Sequence, residues 1–257
     1  MPTITVDNVS KYYRVKRRDR QKNRYGRRNR IEVGVENVSL TIEQGEFVFF
    51  IGSRGAGKST LLNLIAGRDK PSKGYVLING KRLFGDKSWL NRRLSLLIGY
   101  VSQQSTLDRA ITIRANLELA AKAGNRKFED EYNFDERANK VLGLVGLPDV
   151  GGKYPIELTA GECRRVELAC ALINSPPILV LDEVTASLDE DSLWDMFLLL
   201  HEINRLGTTV IMATRSSQYV NMLRRRVVML VDGRVYSDVS KGRYGETGKK
   251  QDLPIRL

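Results

Sequence analysis

The sequence predicts an α/β fold: a P-loop core on a largely parallel sheet, an antiparallel β edge and a helical subdomain. Three observations carry this expectation. Gly52-Ser53-Arg54-Gly55-Ala56-Gly57-Lys58-Ser59-Thr60 fits the phosphate-loop pattern G-x-x-x-x-G-K-[ST]. It follows the apolar run Phe47-Val48-Phe49-Phe50-Ile51 and precedes the helical stripe Leu61, Leu62, Leu64 and Ile65. Ile178-Leu179-Val180-Leu181 and Thr209-Val210-Ile211-Met212 are continuous runs of the kind that parallel strands covered on both faces require. Asn79-Gly80 and Asp232-Gly233 each interrupt strand-like runs, which marks two hairpins.

In chain order, residues 3 to 9 alternate as a strand that ends near Tyr12 and Tyr13. A basic, apolar-poor segment occupies residues 14 to 30. Ile31 to Ile42 reads as the next strand, with Gln44-Gly45 as its turn. The phosphate-loop unit follows, then the short strand from Gly74 to Gly80. From about Trp89 to Leu147 the pattern is mostly helical, clearest over Arg114 to Ala123 and Phe134 to Leu144. Further helices are expected over Cys163 to Ile173 and Leu193 to Leu206, and a hairpin over Val227 to Val235. The stretch from Ser237 to Leu257 is polar and without a period, so it reads as a loosely held tail.

The 257 residues suit one large α/β domain or a core with a subdomain. No apolar run approaches the roughly 18 residues a membrane helix needs. The start, Met1 to Asp7, lacks the charged and apolar regions of a signal peptide, so the chain is expected in the cytoplasm. Cys163 and Cys170 lie seven residues apart on a predicted helix, about 10 Å along its axis, too far for a disulfide. The net charge is +12, and residues 14 to 30 hold ten Lys/Arg against one acid, Asp19. Nine of the twelve charges therefore sit in that segment, and the body is near neutral. This argues against a nucleic-acid-binding face built into the fold.

The phosphate loop carries the first chemistry. Its glycines let backbone N–H groups wrap a polyphosphate, and the following helix N-terminus adds partial positive charge. Lys58 is expected to reach the β- and γ-phosphates, and Ser59 to offer its hydroxyl to Mg²⁺. The run Ile178 to Leu181 ends in Asp182 and Glu183, two acids at the carboxyl edge of a predicted strand. Asp182 is suited to the Mg²⁺ shell and Glu183 to activating a water against the γ-phosphate.

Leu158-Thr159-Ala160-Gly161-Glu162 opens a helical run, and Thr159 and Glu162 have capping-box spacing. Phosphate loop, then L-T-A-G-E, then L-V-L-D-E, then Ser187-Leu188-Asp189 is the motif order of ATP-binding cassette (ABC) ATPases. From about Ile4 to Tyr236 the chain resembles that family. The resemblance implies an ATP-dependent homodimer in which Thr159, Ala160, Gly161 and Glu162 cap the nucleotide of the other subunit. It also implies that Tyr13 stacks on the adenine, that Gln103 senses Mg²⁺ and couples to the partner, and that Asp189 communicates across the dimer. Ordinary strand packing beside Tyr12 stays open as the alternative for Tyr13, as do a plain surface glutamine for Gln103 and Gln104 as its register alternative. The expected organisation is an ABC ATPase domain over 3–236, with a helical subdomain over about 86–165 and a polar tail over 237–257.

Within the family the wording is most similar to the FtsE branch, in Gly45-Glu46-Phe47, the phosphate-loop stretch and Met212-Ala213-Thr214. That implies an FtsX-like membrane permease as partner, a role in cell division and cell-wall hydrolase control, and a peripheral place on the inner face of the bacterial plasma membrane. ATPases of lipoprotein-release and macrolide-export systems share much of this wording and form the alternative.

Three positions depart from the family pattern. Arg215 stands where a switch histidine normally follows Met-Ala-Thr, Ala160 replaces the first signature glycine, and Val184 replaces a proline. Arginine is permanently charged and has no acceptor nitrogen. Loss of one transition-state contact costs about 10² to 10³ in rate. A slow ATPase and a non-hydrolysing ATP switch therefore both follow; retention of Lys58, Gln103, Asp182 and Glu183 favours the first. The basic segment reads as a solvated loop or as a contact for anionic lipid. Tyr25 is its only aromatic residue, so it offers little stacking platform for nucleic acid.

Overall fold

The computed structural model describes residues 3–15, 30–85, 93–123, 131–185 and 188–246. Among these residues ten strands form two sheets. β1 (Ile4–Val15), β2 (Arg30–Ile42), β4 (Lys73–Ile78) and β5 (Lys81–Arg82) make an antiparallel sheet in the order β2-β1-β4-β5. β3 (Phe47–Ile51), β6 (Ile98–Val101), β7 (Ile178–Asp182), β8 (Thr209–Ala213), β9 (Arg226–Val231) and β10 (Arg234–Val239) make the core sheet, ordered β10-β9-β3-β8-β7-β6. All neighbours in it are parallel except β9 and β10. The helices are α1 (Lys58–Ile65), α2 (Ile113–Ala123), α3 (Glu131–Leu144), α4 (Ala160–Leu172), α5 (Glu190–Arg205) and α6 (Ser217–Leu223).

The central strands explain their own composition. Phe49, Leu179, Leu181, Val210 and Met212 enter one apolar cluster, shared with α2, α3, α4 and α5. Their neighbours Val48, Phe50, Val180, Ile211 and Ala213 enter a second, shared with α1 and the antiparallel sheet. Successive side chains thus both meet a covering layer, and no position can be polar without cost. Helix α1 lies between the two sheets. Both predicted hairpins form, with Asn79 and Gly80 at φ 52° and 71°, and Asp232 and Gly233 at 47° and 78°. These left-handed pairs suit the two-residue turn.

Parallel strands put all their carboxyl ends on one edge. The phosphate loop leaves β3 there, Ser102 and Gln103 leave β6, Glu183 follows Asp182 at the end of β7, and Thr214 and Arg215 leave β8. That edge is the place where open α/β sheets bind ligands.

Two expectations need correction. The mostly helical reading of residues 89 to 147 misses β6, which pairs with β7 from Ile98↔Ile178 to Val101↔Leu181. The strand is four residues long and contains Gly99, so it carries little pattern. Gly99 is required by packing: a Cβ there would stand 2.7 Å from the Ala171 carbonyl oxygen of α4. The polar stretch after Ser237 is not all tail. β10 runs to Val239, the Gly242 amide bonds the Arg225 carbonyl at 3.0 Å, and the Tyr244 amide bonds Asn221 at 2.7 Å. Residues 247–257 lie outside the described residues, as do 16–29 and 86–92. The pairing of Val15 with Arg30 makes 16–29 the connection between β1 and β2. A subdomain boundary at 165 falls inside α4, which is one continuous helix. Among the described residues no helix is long and apolar enough to cross a membrane.

Candidate functional site

The phosphate loop is wedged by backbone contacts. Gly52 has φ 144°, and a Cβ there would meet the Leu230 carbonyl oxygen of β9 at 2.3 Å. Gly57 has φ 96°, and its Cβ would meet the Gly34 carbonyl oxygen of β2 at 2.4 Å. Both glycines are obligatory on conformation and on space. The Gly233 amide bonds Ala56 O at 3.1 Å, and the Glu36 amide bonds Gly233 O at 2.8 Å, so the β9–β10 turn braces the loop from behind. By contrast, a Cβ on Gly55 would meet nothing within 4 Å, and Ser53, Arg54 and Gly55 are exposed. The loop is therefore clamped at its base and open at its mouth.

Lys58 and Ser59 begin α1. The buried Lys58 ammonium donates to Gly52 O at 2.8 Å and Ser53 O at 3.0 Å and lies 3.5 Å from Glu183 Oε1. Burial pushes its pKa down, and nearby Glu183 works in the opposite direction. The Ser59 hydroxyl donates to Asp182 Oδ1 at 3.0 Å. Asp182 also accepts from the Tyr100 hydroxyl. Burial raises the Asp182 carboxyl above its ordinary range, although these two donors oppose the shift. Burial also raises Tyr100, whose ring is covered by the Arg68 guanidinium at 4.4 Å from its centroid.

Glu183 is the most constrained group of the site. It is 5 % exposed and has φ 49°, a left-handed conformation uncommon for residues other than glycine. Arg215 grips its carboxylate with a fork, Nε to Oε1 at 2.9 Å and Nη2 to Oε2 at 2.9 Å. Gln103 Nε2 donates to Oε2 at 3.2 Å. Lys58, Gln103 and Arg215, from three different elements, thus converge on one buried carboxylate. Val184, beside it, is buried in the apolar cluster.

Tyr13 lies near the end of β1 and is 38 % exposed. Its hydroxyl donates to Asp69 Oδ2 at 3.1 Å, and Lys11, itself paired with Asp69, lies 5.3 Å from the ring centroid. The ring edge passes over Gly34, where a Cβ would stand 2.7 Å from Tyr13 Cε2 and 2.8 Å from Thr60 Cγ2. Tyr13 is thereby held beside the residue that closes the phosphate-loop motif. Tyr12 instead turns toward Glu36 at 3.4 Å, which separates the two adjacent tyrosines.

Thr159 caps α4: its hydroxyl accepts from the Glu162 amide at 3.2 Å, and Glu162 Oε2 accepts from the Thr159 amide at 2.8 Å. The Thr159 amide and hydroxyl, both donating to Oε2, hold the Glu162 carboxyl below its usual range. Thr159 and Ala160 are exposed, while Gly161 is buried against Ser192, whose Oγ would stand 2.6 Å from a Cβ there. Asp189 caps α5, accepting from the Ser192 amide at 2.8 Å. The two helix starts are thus packed together. Ser187 lies outside the described residues. His201 pairs with Arg225 at 3.1 Å; both cysteines are free thiols, and Cys163 Sγ donates to Pro155 O at 3.4 Å.

The sequence reading did not single out Tyr100, Asp69, Lys11, Gly34, Arg164 or Glu167. One signal was available for Glu167, an acid inside the apolar run Val166 to Ala169. Tyr100 could not be found because its strand was not.

The residues fit a magnesium nucleotide. Ser59 and Asp182 offer hard oxygen donors to a small cation, the loop mouth is open to backbone approach, and Lys58 supplies a buried positive charge.

Comparison with known proteins agrees. Residues 35–186 match the model of the ABC transporter family. The cell division ATP-binding protein FtsE of Bacillus subtilis is 37% identical over 211 residues, covering 82% of this chain and 91% of that protein. FtsE of Streptococcus pneumoniae is 38% identical over 211 residues, covering 82% and 90%. The methionine import ATP-binding protein MetN of Corynebacterium diphtheriae is 37% identical over 203 residues, covering 78% of this chain but 58% of that protein. Among solved structures, the dimeric ATP-binding cassette MJ0796 bound to ADP and phosphate aligns with a TM-score of 0.79 at 30% identity, covering 93% and 99%.

Because burial raises Asp182, its charge destabilises the nucleotide-free fold at neutral pH. The penalty is absent below the ordinary value of 3.8, builds as pH rises from there to the raised folded-state value, and is complete above it. Asp182→Asn should therefore melt higher than the parent at pH 7, with the gap narrowing toward about pH 4.5, by circular dichroism melts across that range. A constant gap would contradict the assignment. A methyl at Gly34 should displace the Tyr13 ring. Gly34→Ala is expected to weaken ATP binding by about fivefold or more, the scale of a lost base–aromatic stack, matching Tyr13→Ala in calorimetry. Unchanged affinity would detach Tyr13 from the base.

Proposed function

The chain belongs to the ABC transporter ATP-binding family, and we propose that it is the ATP-binding and ATP-hydrolysing subunit of an FtsEX-like membrane complex. The observation that carries the ATPase reading is the set of contacts at the carboxyl edge of the core sheet. Ser59 meets Asp182, and Lys58, Gln103 and Arg215 converge on Glu183. Bound Mg²⁺ would supply charge neutralisation at the phosphates, with Ser59, Gln103 and Asp182 among its direct or water-mediated partners. Lys58 must trade its bonds to Gly52 and Ser53 for phosphate oxygens. Glu183 must be partly released from Arg215 before it can accept a proton from water. That release is the reason to expect slow turnover. The start of α4, with exposed Thr159 and Ala160 leading into Gly161 and Glu162, would face the nucleotide of a second copy in an ATP-dependent dimer, and Asp189 would sit at the adjoining helix start.

Similarity to FtsE over most of both chains supports an FtsX-like permease as partner and a role in cell division. MetN relatives have similar identity, but this chain spans little more than half of their length, so they support the same enzyme class with a different partner. The basic segment 14–30 would add contact with anionic lipid at the inner face of the plasma membrane, at about 1 kcal/mol per basic residue near the surface.

Purified chain should hydrolyse Mg-ATP slowly. Glu183→Gln should lower turnover about 10²-fold or more, and Arg215→His should raise it. Full activity in Glu183→Gln would remove Glu183 from the chemistry. ATP binding without turnover in the parent, with recovery in Arg215→His, would make the chain an ATP-dependent switch. For the lipid contact, co-sedimentation with phosphatidylserine vesicles should be salt-sensitive and lost on deletion of residues 16–30. Equal binding by the deletion variant would refute it.

A further inference from the structure

Helix α4 does more than present its N-terminus. One turn in, the Arg164 guanidinium donates through Nη1 to Ser102 O at 3.0 Å and through Nη2 to Gln103 O. The same Nη1 bonds Glu167 Oε2 at 2.7 Å. Glu167 Oε1 accepts from the Thr106 amide at 3.3 Å. The side chains of Arg164 and Glu167 are only 15 % and 2 % exposed. The segment they hold, residues 102 to 106, lies beyond the last ladder bond of β6 and has no regular structure of its own. Its backbone is thus tied at both ends to one ion pair on α4, and its Gln103 side chain reaches Glu183.

We propose that Arg164, buttressed by Glu167, is a positioning residue. It holds Gln103 against Glu183 and makes that contact depend on the helix whose start would cap a partner's nucleotide. The proposal deepens the ATPase reading and rests on it. The physics is specific to arginine, because only a planar fork can reach two successive carbonyls and a carboxylate at once. Glu167 is needed because it fixes that fork and satisfies Thr106, and it cannot stay buried without Arg164. A movement of α4 toward a second copy would carry the Gln103 backbone with it. No such transfer is possible through residues 102 to 106 alone, which lack a ladder.

The test uses the full chain. Arg164→Gln with Glu167→Gln removes both charges together, so no lone buried charge remains. Turnover of Mg-ATP is measured for this pair, for Gln103→Ala and for their combination. The expected result is a fall in kcat of about tenfold with KM within about twofold, and no further loss on adding Gln103→Ala. Unchanged kcat, or losses that multiply, would overturn the proposal. Arg164→Lys keeps the charge without the fork and is expected to melt like the parent while losing kcat; it also replaces the pair if the pair does not fold. Hydrogen exchange supplies an arm independent of turnover. Amides 103 to 106 should exchange faster in the variants, while those of the phosphate loop stay unchanged. Unchanged exchange at 103 to 106 would refute the tie even in a chain that binds ATP without hydrolysing it. Faster exchange in such a chain would leave the tie standing and the ATPase reading refuted.

Discussion

A carboxylate buried in a protein needs partners, and Glu183 organises the site around that need. Its backbone is in a left-handed conformation, and its side chain is almost wholly enclosed. Strain of that kind persists only where the surroundings over-determine it. Here the Glu183 amide is tied to Ala213 O at 3.0 Å, and the carboxylate is held from the phosphate loop, the loop after β6 and the loop after β8. Lys58, Gln103 and Arg215 share no sequence neighbourhood. Only a parallel sheet, with all its carboxyl ends on one edge, brings them within reach of one acid.

The same edge explains why the phosphate loop is rigid at its base. Gly52 and Gly57 press on carbonyl oxygens of β9 and β2, strands of different sheets. The loop is therefore a joint between the parallel core and the antiparallel edge. Tyr13 belongs to this joint, because Gly34, which touches Gly57 through its carbonyl, also makes room for the tyrosine ring. Phosphate cradle and candidate base platform are thus built on one backbone contact. On the opposite side, Arg164 and Glu167 link the loop after β6 to α4.

Arg215 changes the balance of charge at this edge. A histidine there could accept a hydrogen bond, whereas arginine can only donate. The fork it makes is satisfied by the Glu183 carboxylate. Ala160 has a milder consequence, since it occupies the first turn of a helix, where alanine is at ease, and its methyl faces outward. Val184 lies in the core, where an apolar side chain is at home.

Much of the molecule was legible in the sequence because the signals were local. The strand–glycine–helix order around residues 47 to 65, the two left-handed hairpin turns, the capping box at Thr159 and the acids ending β7 each need only neighbours in the chain. The motif order 52–60, 158–162, 178–183 was enough to suggest the family. What sequence could not supply were pairings between distant segments. β6 was invisible because four residues with a glycine carry no period, and its register comes from β7. The end of β10 and the docking of Tyr244 were missed because polar residues on an edge strand resemble a tail. The partners of Tyr13 and Glu183, and the tie from Arg164 to Gln103, depend on which loops share an edge. Local propensity and spacing determine what each segment can be. Which side chains meet is decided by the parallel sheet and the burial that closes it, because hydrogen bonds and ion pairs between remote residues exist only once the layers have packed.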